Sequence, residues 1–134
     1  MLEQNEDVKI ENIIYEVRGK QVMLDFDLAK IYHIETKRIN EAVKNNLSKF
    51  PDKFSFRFNV YEWYDLKSKI STSSFNNNYG GKRYLPRVFT EQGVVMLATI
   101  LKSETAIKTS IRIMDAFVEM RHLIFSDLIA NNIE

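Results

Sequence analysis

Two rhythms of apolar residues alternate along this chain, and each change of rhythm marks an element. Ile13-Ile14-Tyr15-Glu16-Val17 and Gln21-Val22-Met23-Leu24 are β-rich runs flanking Arg18-Gly19-Lys20, which predicts a hairpin around a glycine-centred turn. From Asp25 the spacing becomes helical. Leu28 and Tyr32 are four apart, with Ala29 beside them, small enough for a second helix to cross close over it. Asp25 is expected as the N-cap and Asp27 against the positive end of that helix, which runs to about Tyr32 and leaves His33 in a turn. Ile39, Val43 and Leu47 then repeat at four-residue spacing. This predicts a second helix from Glu35 or Thr36, fraying around 45–48 and stopped by Phe50-Pro51.

The residues left outward on that second helix are Thr36, Lys37, Asn40, Glu41 and Lys44. The layout is a helix-turn-helix, whose usual use is to lay the second helix in a DNA major groove.

Further along, Phe54-Ser55-Phe56-Arg57-Phe58 alternates strictly, so a strand is expected with its phenylalanines inward and Ser55 and Arg57 outward. Asn59-Val60-Tyr61-Glu62 is a capping pattern for a helix to about Lys69, seated by Trp63 and Leu66. Residues 71–82 form a polar loop, long for a connection without structure of its own. Arg83-Tyr84-Leu85 is expected to pair with 54–58 as a short strand. Thr90 reads as the N-cap of a helix over 91–101 with Val94, Val95, Leu97, Ala98 and Leu101 on its apolar face. Ser103 opens a last helix, from Glu104 to about Ile129, free of Gly and Pro. It carries two stripes: Ile107, Ile111, Met114 and Val118, then Ile113, Phe117, Met120 and Ile124. Its second half, with Met120, Leu123, Ile124, Leu128 and Ile129, extends beyond what a small core covers. A homodimer surface or a lead into a further domain is expected there.

The 134 residues fit one domain with 45% hydrophobic content and no cysteine, which excludes disulfides and thiolate chemistry and fits a reducing cytoplasm. The acidic start is no signal peptide, and no apolar run is long enough to span a membrane. The expected division is an arm over 1–9, a domain over 10–122 and the helix end over 123–134. Net charge is only +1, but between 30 and 60 seven basic side chains oppose three acidic ones. Lys82, Arg83 and Arg87 form a second basic cluster. Local basic faces steer a protein to phosphate even when the total is near zero.

In order, the Arg18-Gly19 turn, Asp27-Leu28-Ala29, Thr36-Lys37-Arg38-Ile39-Asn40, Lys44-Asn45-Asn46, Phe50-Pro51-Asp52-Lys53-Phe54, Glu62-Trp63, Arg83-Tyr84-Leu85-Pro86, Phe89-Thr90-Glu91-Gln92-Gly93, Leu101-Lys102-Ser103-Glu104, and Ile113-Met114 with Ala116-Phe117 resemble a KilA-N-related domain family. That family is named after the N-terminal part of a phage open-reading-frame-six product, and the resemblance covers roughly residues 9–122. It implies a DNA-binding module of phages, prophages and bacterial mobile elements, often placed ahead of a variable C-terminal domain in antirepressor-like or regulatory proteins. The chain departs in the helix-helix turn, where family members usually carry glycine and His33 stands here. Histidine tolerates the left-handed conformation better than most residues.

The expected fold is therefore α+β: an N-terminal hairpin, a helix-turn-helix, a small antiparallel sheet and a long C-terminal helix. The expected function is sequence-specific double-stranded DNA binding in transcription regulation. Lys37, Asn40 and Lys44 are expected to reach base edges or phosphate, Asn40 through two atoms on adenine. Thr36 sits at the helix start, Arg38 is turned toward phosphate, and Glu41 would accept from a cytosine amine. Arg57 adds a phosphate contact, and Lys82 and Arg83 a basic wing. The competing class is a protein-interaction module that binds a repressor through the last helix. No catalysis, cofactor, metal or small-molecule substrate is expected. His33 and His122 are far apart, and Asp25-x-Asp27 lacks further ligands and is explained by helix capping. There is no Gly-rich phosphate loop or nucleophile elbow. Phe50, Phe54, Phe56, Phe58 and Trp63 are placed for core packing rather than base stacking.

Overall fold

A computed structural model describes residues 9–70 and 84–132. After a short 3-10 turn over Ile10–Ile13, strands β1 (Tyr15–Val17) and β2 (Lys20–Leu24) form the expected hairpin. Val17 pairs with Lys20, leaving a two-residue loop. Arg18 and Gly19 both have positive φ, at 56° and 74°, as the tightest hairpin turns require. Helix α1 (Asp25–Tyr32) follows β2 with no intervening residue, and α2 (Thr36–Lys44) follows after a short turn. Then come β3 (Ser55–Arg57), α3 (Val60–Lys69), β4 (Arg87–Phe89), α4 (Glu91–Leu101) and α5 (Glu104–Asn132).

The four strands form one antiparallel sheet in the order β1-β2-β4-β3. Alternation sorts its side chains onto two faces. Val22, Leu24, Phe56 and Val88 meet Phe26, Phe58, Trp63 and Leu66, so α3 closes one face. Met23 and Phe89 point the other way, into the larger core built by α1, α2, α4 and α5. The expected capping box is present: Asn59 accepts from the Glu62 amide, and the Glu62 carboxylate accepts from the Asn59 amide. Arg18 grips the same carboxylate with two bonds of 2.6 and 3.0 Å and lies over the Phe56 ring, tying the hairpin turn to α3. That contact holds Glu62 below the usual carboxylate range.

Several expectations differ from the structure, among them Val95, which is exposed rather than on the apolar face of α4, and Asn40, described below. The strand that pairs with β3 is Arg87–Phe89, in register Ser55↔Phe89, Phe56↔Val88 and Arg57↔Arg87, and Tyr84-Leu85 lie outside it. A central strand covered on both faces needs adjacent residues that can both be sealed from water, which Val88-Phe89 are, while Tyr84 and Leu85 stay only partly buried and the Tyr84 hydroxyl is engaged with Asp25. Ser55 is buried, not outward; its hydroxyl donates to the Val88 carbonyl at 2.8 Å. It shares the face of Phe89, which the helices cover. Leu47 falls beyond α2 in a 3-10 turn and is exposed. Asp25 is no N-cap: Leu24 holds that place, because β2 runs straight into α1. Residues 1–8 of the expected arm over 1–9, the expected loop over 71–82, and Arg83 lie outside the described residues.

Candidate nucleic-acid interface

Helix α2 is two-sided. Ile39 and Val43 are fully buried, while Lys37, Arg38, Glu41 and Lys44 are exposed and Thr36 is half-buried at the first turn. His33 adopts the left-handed conformation expected of the turn, φ 62° and ψ 42°, and its amide closes α1 by bonding the Ala29 and Lys30 carbonyls. α2 is therefore held against the core by two β-branched side chains and presents its cations to solvent.

Asn40 departs from the expected outward placement. It is half-buried, and its amide nitrogen donates to Asp25 Oδ2 at 2.9 Å and to the Thr36 carbonyl at 3.3 Å. Its Oδ1 is buried without a hydrogen-bond partner among the described residues. A two-atom adenine contact would require the Asp25 bond to break. Asp25 itself is completely enclosed. Besides Asn40 it accepts from the Tyr84 hydroxyl at 2.6 Å and from the Arg87 backbone amide at 3.1 Å. One carboxylate thus joins the start of α1, the middle of α2 and the approach to β4, fixing the angle at which α2 lies over the sheet. Burial and the Asp25 charge push the Tyr84 hydroxyl far above its ordinary range, so it stays a donor.

The outward side of α2 meets the sheet in an open notch. Lys37, Asn40, Glu41, Val43, Lys44 and Leu47 line one wall, Arg57 and Arg87 the other. The structure thus brings Lys37, Asn40, Glu41, Lys44 and Arg57 together; Thr36 and Arg38 lie on the same helix outside the notch, and Lys82 and Arg83 fall outside the described residues. Sequence reading missed Arg87 as part of this site and Asp25 as its anchor. The signal for Asp25 was present: an apolar strand running to Leu24 leaves no residue free to cap.

Among the described residues no group of histidines, cysteines or carboxylates could hold a metal, and no helix is long and apolar enough to cross a membrane. The aromatic residues considered for stacking on bases are instead in the core: Phe50 packs edge-on against Phe89, and Trp63 against Phe26 and Phe58.

No curated protein and no solved structure matches the chain. A family model does, over residues 12–100, and it is that of the ORF6N domain. The matched span holds the hairpin, both helices of the helix-turn-helix, the sheet and nearly all of α4, and stops before α5. The chain belongs to the ORF6N domain family, a KilA-N-related phage family associated with antirepressor and DNA-binding phage proteins.

Proposed function

We propose that this protein binds double-stranded DNA sequence-specifically by inserting α2 into the major groove, as a regulator or antirepressor module of phage or prophage type. The observation that carries this reading is the two-sidedness of α2: Ile39 and Val43 are sealed in the core while Lys37, Arg38 and Lys44 are exposed, Lys37 and Lys44 on the notch that Arg57 also lines. Lys37 and Lys44 reach guanine acceptors or phosphate, Arg38 and Arg57 reach phosphate, and Thr36 meets the backbone at the helix start. Glu41 would repel phosphate and is suited to a cytosine amine. Asn40 orients α2 through Asp25. Lys82 and Arg83 are proposed as flanking backbone contacts.

The test is selection of bound sequences from a random duplex pool at near-physiological salt, followed by salt titration on the selected site. Lys37→Ala and Lys44→Ala are each expected to weaken binding and to shallow the salt dependence by about one unit of slope. Wild-type affinity for both variants would end the groove assignment. A second copy of the chain is proposed as the partner of α5, whose Ile107, Ile111, Val118, Phe125 and Leu128 are exposed among the described residues.

A further inference from the structure

Arg57 and Arg87 stand directly opposite each other on neighbouring antiparallel strands. Residues so paired share a face with their Cβ atoms about 5 Å apart, and like charges there are destabilising. Arg57 Nη1 donates to the Leu85 carbonyl at 2.7 Å and Arg87 Nη1 to Ser55 Oγ at 3.2 Å. Neither guanidinium is in an ion pair among the described residues, and residues 71–83 contain no Asp or Glu. Lys37 and Lys44 face the same notch from α2, against Glu41 as the carboxylate in its lining. Burial and the neighbouring Arg57 hold the Arg87 guanidinium below its ordinary range, with Asp25 and Asp52 offsetting part of this. The hydrogen bonds to neutral oxygens orient both side chains but do not neutralise them.

We propose that the Arg57–Arg87 notch seats one backbone phosphate of the duplex whose groove α2 enters. This rests on the DNA reading of α2. A phosphodiester presents two free oxygens to paired guanidinium forks, a match that ammonium groups alone do not make. A seated anion resolves the cross-strand repulsion, and Lys44 at the rim joins the seat to the reading helix. Arg87 is thereby a binding residue of the protein, and its register opposite Arg57 sets where along the strand the phosphate lies.

The experiment is a set of Arg57→Gln and Arg87→Gln variants measured on the selected duplex, with single phosphates replaced one at a time by neutral methylphosphonate. Each variant is expected to bind about tenfold more weakly at 0.15 M salt, with a salt slope shallower by about one. At one phosphate position the wild type loses affinity on neutralisation and the variants lose nothing further. Arg57→Gln, on an exposed position, is expected to melt at least as high as wild type, since a like-charge pair is relieved; a clear fall in its melting temperature would make the pair structural and overturn the proposal. Wild-type binding with unchanged slopes, or with additive penalties at every phosphate, overturns the notch and leaves the DNA reading standing. Failure of the wild type to bind any duplex removes both. Saturable binding of inorganic phosphate, lost in Arg57→Gln and without coupling at any duplex phosphate, would assign the seat to a free anion and overturn the duplex assignment.

Discussion

Gly93 has no room for a side chain. A Cβ there would lie 2.0 Å from the Phe54 carbonyl oxygen, which also accepts from the Thr90 amide and hydroxyl. Thr90 in turn caps α4 through the Gly93 amide at 3.2 Å. Thr90 and Gly93 therefore act together: one caps the helix, the other lets it touch the chain before β3. Gly93→Ala must push backbone against backbone and is expected to cost about 3 kcal/mol, read as a lowered urea midpoint. Asp27 makes a second prediction at this scale. Burial first, then the Asp25 charge, raise its carboxyl to about 7, with Lys30 pulling the other way. The folded state holds that proton more tightly than the unfolded chain, so this group favours folding at low pH, and its contribution declines as pH rises from about 4 to 7. Asp27→Asn should therefore gain on wild type between pH 5 and pH 8, by about 1–3 kcal/mol in urea denaturation. An equal difference at both values would show that Asp27 ionises normally.

Among the elements, the turn between α1 and α2 decides how far the second helix stands from the first. His33 occupies a left-handed backbone position that glycine adopts without strain. His33→Gly is expected to raise stability by about 0.5–1 kcal/mol and to leave the α2 orientation unchanged, since Asp25–Asn40 fixes it independently; an unchanged or lowered melting temperature would contradict this. What was legible in the sequence follows the same divide between local and tertiary control. The hairpin, both capped helices and α2 carry their signals within a few residues: Gly19, Asn59 with Glu62, Thr90, and Ile39 with Val43. β4 was misplaced because its three residues are defined by strands far away in sequence, β2 and β3. The cations of α2 could be read from periodicity, but Arg87 joined them only through strand register. Asn40 looked outward by spacing, and a buried carboxylate fifteen residues earlier turned it inward.

Across the molecule as a whole, α5 is only partly covered by the other described elements. Its Ile113, Ala116 and Phe117 are sealed in the core, so of the two stripes in its first half only one is covered. The other stripe is largely exposed, and residues 121–131 are exposed on every side. At about 1.5 Å per residue its 29 residues span roughly 43 Å. Positions 107, 111, 114, 118, 121, 125 and 128 recur at alternating steps of four and three, the 3.5-residue repeat of a two-stranded coiled coil. Six of the seven are apolar; Arg121 is paired with Glu91. Such a seam is self-complementary, which is why a second copy is the proposed occupant. Two joined copies would present two α2 helices to one duplex, and the second contact would form at high effective concentration. Phe125→Glu with Leu128→Glu removes the outer end of the seam without touching the core. Wild type is expected to sediment as a dimer and the double variant as a monomer with an unchanged melting profile in its domain. On a duplex with two half-sites the variant should bind at least tenfold more weakly, and on a single half-site as tightly as wild type. A monomeric wild type at 100 μM or above (about the upper range of such measurements) would remove the second copy. Loss of repressor binding in the variant, with self-association untouched, would give α5 to another protein.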